Sequence, residues 1–145
     1  MRTFLIAIGC SLAALGCGSS GDFPVARTTG RVLCEGKPVP FVMVFFEPLQ
    51  DGKSALVGKQ GIGFAEEDGT FQISTYGTAD GAVVGKHRVR VGPPRSEDHP
   101  GYTCPCVLNS EVDVAKVEVK PGEKNEFELV LRKRTPRDPL PKLDD

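Results

Sequence analysis

The sequence predicts an all-β fold, a seven-stranded antiparallel β-sandwich, and three observations carry that expectation. Beyond the first 16 residues no segment shows a helical period of apolar residues. Glycine (17) and proline (12) are abundant among the 145 residues but not periodic, as expected of tight turns between short strands. β-Branched and aromatic residues fill the intervals between those turns, which recur roughly every 8 to 12 residues, the rhythm of a sandwich.

The elements follow in order. Thr29 to Cys34 reads as the first strand, closed by the turn Glu35-Gly36-Lys37-Pro38. Val39 to Phe46 is apolar on both faces and is therefore expected at the centre of a sheet. Pro48 to Ser54 is a loop. Ile62 and Phe64, then Phe71, Ile73 and Thr75, alternate on two strands around Glu67-Asp68-Gly69. Asp-Gly between such runs is a hairpin signal, because glycine tolerates the positive φ that the turn requires. Residues 76–85 form a loop. Lys86 to Val91 alternates, with His87, Val89 and Val91 on one face and Lys86, Arg88 and Arg90 on the other. Residues 92–110 are a long connection with four prolines, Pro93, Pro94, Pro100 and Pro105. Ala115, Val117 and Val119 mark the sixth strand. Pro121-Gly122-Glu123-Lys124 turns into the seventh, with Phe127, Leu129 and Leu131 inward. From Lys133 to Asp145 the prolines 136, 139 and 141 predict an extended, disordered tail.

The N-terminus is a separate case. Arg2 precedes an apolar run from Phe4 to Leu15, and small Gly16 stands before Cys17. That order is the layout of an export signal, and the run is shorter than the roughly 20 residues of a spanning helix. Ala14-Leu15-Gly16-Cys17 resembles the lipobox of bacterial lipoproteins. It departs from the usual box in one respect: Ala14 holds the place where such proteins usually carry leucine. The resemblance implies cleavage between Gly16 and Cys17, a diacylglyceryl group on the Cys17 thiol, and a protein held at a membrane by its acyl chains. Residues 1–16 are then a signal peptide and residues 17–28, small and polar, a lipidated tether. Gly18 follows the cysteine where some bacteria use Asp for inner-membrane retention. The expected location is the cell envelope, on the periplasmic or the outer-membrane, cell-surface side.

The domain from 29 to 132 carries a second resemblance. Gly30-Arg31-Val32, Gly36-Lys37-Pro38-Val39 and Val44-Phe45-Phe46-Glu47-Pro48 resemble the opening of carboxypeptidase regulatory-like domains. Glu67-Asp68-Gly69-Thr70-Phe71, Thr75-Tyr76-Gly77, Asp80-Gly81-Ala82, Gly85-Lys86-His87-Arg88-Val89 and Val117-Glu118-Val119-Lys120-Pro121-Gly122 continue the match. The resemblance implies a transthyretin-like (prealbumin-like) sandwich without catalytic activity, of the kind found in small bacterial lipoproteins. Tyr102-Thr103-Cys104-Pro105-Cys106 in the long connection departs from it.

Several chemistries are excluded. A formal net charge of −1 without blocks of like charge leaves no basic footprint for nucleic acid. The absence of Trp removes a tryptophan-lined sugar platform. Only His87 and His99 are present, and neither has the spacing of a zinc peptidase. The several histidines and the Tyr-Arg-Gly-Ser of transthyretin-related hydroxyisourate hydrolases are absent too. Residues 81–87 lack the glycine spacing, the hydroxyl residue and the helix of a phosphate loop. His87 is expected to pack within the domain. Glu66-Glu67 and Glu126/Glu128 are read as solvated surface, and Asp68 and Asp80 as turn residues rather than calcium ligands.

The cysteines leave alternatives open. Outside the cytoplasm thiols oxidise, and Cys34, Cys104 and Cys106 are an odd set of disulfide candidates. Cys34 can bridge to Cys104 or Cys106, Cys104 can bridge to Cys106, or all three can stay as thiols. A Cys3His metal site from Cys34, His99, Cys104 and Cys106 is a further alternative with a non-standard spacing.

No cofactor and no catalysis are expected. The leading expectation is a structural or protein-interaction module that meets an envelope protein through loops and strand edges. The second is a binder of a small ligand or glycan, using loops 77–85 and 93–110 with Tyr76 and Tyr102. The third is a metal- or redox-handling protein built on Cys104 and Cys106.

Overall fold

The computed structural model describes residues 23–52 and 55–139, so the signal segment, Gly16 and Cys17 lie outside the described residues. Ten strands and no helix occur among the described residues. They are β1 (Val25–Ala26), β2 (Thr28–Cys34), β3 (Lys37–Pro38), β4 (Met43–Pro48), β5 (Gly61–Phe64), β6 (Thr70–Gln72), β7 (Ala82–Val83), β8 (Gly85–Gly92), β9 (Asn109–Val119) and β10 (Asn125–Leu131).

β2 shows how the pattern sets the layers. Thr28, Gly30, Val32 and Cys34 are buried, whereas Thr29, Arg31 and Leu33 lie on the other face. Period-two alternation of this kind places one face on the core. β2 is central in the first sheet, with β3 and β6 antiparallel to it on one side and β10 parallel to it on the other. The second sheet is antiparallel throughout, in the order β5-β4-β8-β9. Val44 and Phe46 of β4 and His87, Val89 and Val91 of β8 are fully buried against the first sheet. Phe46 lies at the junction, its ring centroid 6.2 Å from that of Phe71, 5.7 Å from that of Phe127 and 5.8 Å from that of His87. A short third pair, β1 with β7, covers one end.

Several expectations are corrected. The C-terminal strand pairs parallel, from Asn125↔Thr28 to Leu131↔Cys34, so the assembly is not wholly antiparallel. The run expected from Val39 to Phe46 is broken. Pro38 and Pro40 remove two ladder donors, Phe41 turns at φ 65° with its N–H bonded to the Ala65 carbonyl, and β4 begins only at Met43. The tether reading of residues 17–28 ends too late: Ala26 and Thr28 are buried, and Val25-Ala26 pairs with Ala82-Val83. The tail reading begins too early. Lys133 bridges to Cys106, and Arg132 and Thr135 both bond Asp138. The connection expected to run to Ser110 already becomes strand at Asn109.

The Asp-Gly turn forms, but it joins two sheets rather than two strands of one hairpin. Asp68 Oδ1 accepts from the Thr70 N–H (3.0 Å) and hydroxyl (2.6 Å), and Gly69 has φ 78°. β5 then pairs with β4, β6 pairs with β2, and a single bridge at Ile62↔Ser74 links the two arms. The face of β5 is the reverse of the hydrophobic pattern. Ile62 and Phe64 point to solvent while Gly61 and Gly63 are buried. A Cβ at Gly63 would lie 2.6 Å from the Gln72 carbonyl oxygen, and one at Gly61 would lie 2.5 Å from Ile73 Cγ2. The crossing between sheets is too narrow there for any side chain.

Restoring the apparent alternation should therefore be harmful. Gly63→Val is expected to destabilise the domain by about 1–3 kcal/mol through overpacking, whereas Ile62→Thr on the solvent face should change stability by about 0.5 kcal/mol or less. Chemical denaturation of the two variants checks this, and equal effects would contradict the assigned face.

Candidate functional site

The long connection from Pro93 to Leu108 is fastened to one end of the sandwich at four places. Its first fastening is the disulfide Cys34–Cys106, with Cα atoms 5.9 Å apart and a sequence separation of 72. The Tyr102 hydroxyl donates to the Pro40 carbonyl at 2.7 Å. The His99 ring stacks on Phe41 at 4.2 Å between centroids and 16° between planes. Val107 N–H and Arg134 N–H donate to the Arg132 and Pro105 carbonyls. The positive φ of Phe41 is what turns its ring toward the connection, and a bulky residue rarely adopts that conformation without surrounding support.

Between this connection and the outer face of β4 lies a groove of about 990 Å³. Met43, Phe45, Pro93, Pro94 and Val112 supply apolar walls, and Arg95, Glu97, Glu111 and Arg132 supply charge. The Arg95 guanidinium sits over the exposed Phe64 ring, 5.7 Å from its centroid. Asp138 closes one wall. It takes a bidentate contact from Arg132 (2.6 and 3.0 Å) and both the N–H and the hydroxyl of Thr135. The Arg132 hydrogen bond, followed by those from Thr135, holds the Asp138 carboxyl well below the usual carboxylate range. Next to the groove on the same outer face, Glu47 receives both Arg88 (2.5 Å) and Arg90. The Arg88 hydrogen bond is the largest cause of its lowered pKa, opposed by burial.

A second cavity of about 460 Å³ lies at the same end, lined by Cys34, Lys37, Val39, Pro40, Tyr102 and Cys104. Cys104 is a buried free thiol, and its sulfur accepts the Cys106 N–H at 3.4 Å. Burial pushes the Cys104 thiol up, and it pushes the Tyr102 phenol up to about 12, with Cys104 adding to the latter. A protonated, enclosed thiol is a poor nucleophile and a poor metal ligand. The Cys3His alternative is overturned: two of its sulfurs are bonded to each other and His99 lies against Phe41. No cluster of three or more His, Cys, Asp or Glu able to hold a metal occurs among the described residues.

The remaining residues singled out in the sequence are spread through the fold. His87 is fully buried, and its Nε2–H donates to the Val83 carbonyl at 2.6 Å, leaving Nδ1 without a partner. Desolvation lowers its pKa. The Asp80 carboxylate accepts the N–H groups of Thr75, Tyr76 and Gly77 and so shapes the 76–80 turn. The Tyr76 hydroxyl accepts the N–H groups of Phe23 and Lys59, which places it at the end of the domain opposite the disulfide. Tyr76 and Tyr102 are therefore not brought into one site. Glu66, Glu67, Glu126 and Glu128 are exposed. The sequence reading missed the Arg132–Asp138 clamp and the Glu47 pair of arginines. The second was legible in principle, since Glu47 and Arg88 stand on outward positions of adjacent strands in direct register.

No family model matches the chain, and no curated protein matches it. Among solved structures the chain is similar to a DUF3823 family protein from Parabacteroides merdae, at 20% identity and a TM-score of 0.42. The match covers 77% of this chain and 48% of that one, so the chain spans about half the length of that protein.

Two outcomes follow from this geometry. Because the folded His87 resists protonation, the unfolded state binds the extra proton first, and stability must fall as pH drops below about 6.5. The carboxylates of Glu47, Asp80 and Asp138, all lowered, are lost only at more acid pH. Denaturation midpoints measured from pH 7 to 5 should decline in the wild type and stay level in His87→Gln. A parallel decline in both would remove His87 as the cause. Separately, Cys106→Ser should cost about 2–4 kcal/mol, the usual effect of opening a long disulfide loop. In the double variant Cys34→Ser/Cys106→Ser, which leaves no second thiol beside it, Cys104 should gain reactivity toward a thiol reagent under native conditions, read on the Cys104 peptide by mass spectrometry.

Proposed function

We propose that this chain is an exported, lipid-anchored, non-catalytic β-sandwich of the cell envelope that serves as a structural or protein-interaction module. The observation that carries this reading is the Cys34–Cys106 disulfide. It fastens the long connection of a domain whose sheets already enclose a core, and such bonds persist in oxidising compartments outside the cytoplasm. The Ala14-Leu15-Gly16-Cys17 box supports export and anchoring through Cys17. The seven-stranded transthyretin-like, carboxypeptidase regulatory-like assignment rests on the order of motifs between residues 28 and 132.

The direction of the strands supports display. β2 starts at Thr28 beside Asn125 and runs to Cys34 beside Leu131, so the entry of the chain and the disulfide lie at opposite ends. A chain tethered through residues 17–22 would hold the disulfide end, with its groove, away from the membrane. Contact there would use Phe45, Met43 and Arg95, an aromatic, a flexible thioether and an arginine, all types favoured at interfaces. A ligand-binding reading is the second, favoured by the groove volume of about 990 Å³, which lies at the upper end of small-molecule pockets.

Two measurements test this. Mass spectrometry of the protein from membranes should find residue 17 as an acylated N-terminus, and Cys17→Ser should lose the acyl mass and leave the membrane fraction. Persistence of acylation in that variant would refute the anchor. Crosslinking in envelope extracts should yield an adduct with the wild type that Phe45→Asp loses. Failure to crosslink, together with a small molecule retained in native mass spectra, would favour the ligand reading instead.

A further inference from the structure

Apolar side chains are exposed at the end of the domain where the chain enters. Leu56 is 77% exposed and Val57 42%, and both lie in the loop between β4 and β5. Exposed neighbours of this kind are unusual on a loop that carries the polar and charged residues Gln50, Asp51 and Lys59 on either side. The loop is fixed to the start of the domain. The Tyr76 hydroxyl accepts the N–H of Phe23 at 3.3 Å and that of Lys59 at 3.2 Å, which joins the first described residue to the loop through one oxygen. A Cβ at Gly58 would lie 3.2 Å from Phe23 Cβ, so the two segments are also in close contact. Leu49 N–H donates to the Lys86 carbonyl, and Lys86 pairs with Asp51 at 3.8 Å, which holds the other side of the loop against β8.

From these contacts we infer that the 55–59 loop docks on the lipid bilayer, with Leu56 and Val57 entering the boundary between headgroups and acyl chains and Lys59 meeting lipid phosphate. The inference rests on the anchor proposed at Cys17. Five residues lie between Cys17 and Phe23, a reach of at most about 20 Å when fully extended. Phe23 in turn is held against Gly58 and Lys59, so an acylated Cys17 keeps this loop within a short distance of the headgroups. At that distance docking adds a second, weak membrane contact to the first, and a high effective concentration makes weak contacts count. The composition is that of an interfacial element, aliphatic residues beside a cation. Docking would also orient the domain, with the disulfide end and its groove facing outward.

The chain lacks tryptophan, so a single introduced indole reports its own surroundings. Full-length acylated protein carrying Leu56→Trp is reconstituted in vesicles of phosphatidylethanolamine and phosphatidylglycerol, with Val130→Trp on exposed β10 as the control. The expected result is a blue-shifted emission from Leu56→Trp that brominated acyl chains quench, with no quenching in Val130→Trp. Adding Val57→Asp to Leu56→Trp should abolish the shift and leave the thermal midpoint unchanged. If mass spectrometry shows the acyl group on Cys17 while the Leu56→Trp emission stays that of water, the docking is overturned and the anchor stands. If Cys17 carries no acyl group, the anchor itself is overturned and the docking falls with it.

Discussion

The fold depends on the contact that Phe46 makes across the two sheets. Its ring lies on β4 and meets Phe71 of β6, Phe127 of β10 and His87 of β8. Those partners come from residues that stand 25 to 81 positions away in sequence, so the contact cannot form until both sheets exist. Burying a phenylalanine is worth roughly 1.5–3 kcal/mol by transfer alone, and losing one from a packed site costs more because a cavity remains. Around these rings the core is aliphatic and includes Val32, Val44, Val89, Val91, Ile73 and Leu129. With valines on both inner faces, the cluster of rings centred on Phe46 occupies the space between the sheets. The glycines on β5 belong to the same constraint, since side chains there would lift the β5–β6 crossing off Ile73 and Thr75.

That geometry explains which parts of the sequence could be read directly. Where a strand is paired on both edges and packed on one face, alternation and burial coincide. β8, between β4 and β9, is of that kind, and His87, Val89 and Val91 are buried as their spacing implies; β10 is paired only with β2, yet its packed face keeps Leu129 and Leu131 buried too. β5 is an edge strand whose inner face is occupied by the Gln72 backbone and the Ile73 and Thr75 side chains, so its apolar residues point outward and the pattern misleads. The Asp68-Gly69 turn was visible, but a local signal of that type carries no information about which sheet receives each arm. The parallel pairing of β10 with β2 is likewise a tertiary outcome. It follows from the chain returning to the first sheet after β9, and no residue in 125–131 encodes it.

The candidate site was less legible than the fold for a related reason. The sequence marked the cysteines and the 93–110 connection, but not what the connection packs against. Phe41 and His99, Pro40 and Tyr102, and Arg132 and Asp138 are pairs formed only after the connection closes over the end of the sandwich. Odd numbers of cysteines leave the pairing undetermined from sequence. In the fold, Cys106 joins Cys34 while Cys104 turns inward beside Tyr102. The tail was misjudged because prolines argue against regular structure but do not argue against a fixed turn, and Asp138 supplies the acceptors that fix this one.

The two ends of the domain differ in how their polar groups are satisfied, and the difference bears on what each can do. At the disulfide end a covalent bond, a stacked ring pair and backbone hydrogen bonds hold the connection, leaving the faces of Met43, Phe45 and Arg95 along the groove. At the entry end one phenol oxygen and one carboxylate, those of Tyr76 and Asp80, collect five backbone N–H groups from segments that would otherwise be separate loops. Backbone donors gathered in this way fix a loop without covering it. The 55–59 loop is thus held in place while its aliphatic side chains stay exposed. Between the ends, the exposed residues of β9 include Glu111 and Asp113, and its register with β8 slips twice. Charges and bulges of this sort discourage edge-to-edge pairing between strands. The β9 edge is thus ill suited to pairing with another strand, and the fixed loop at the entry end and the groove at the disulfide end present their side chains without that obstacle.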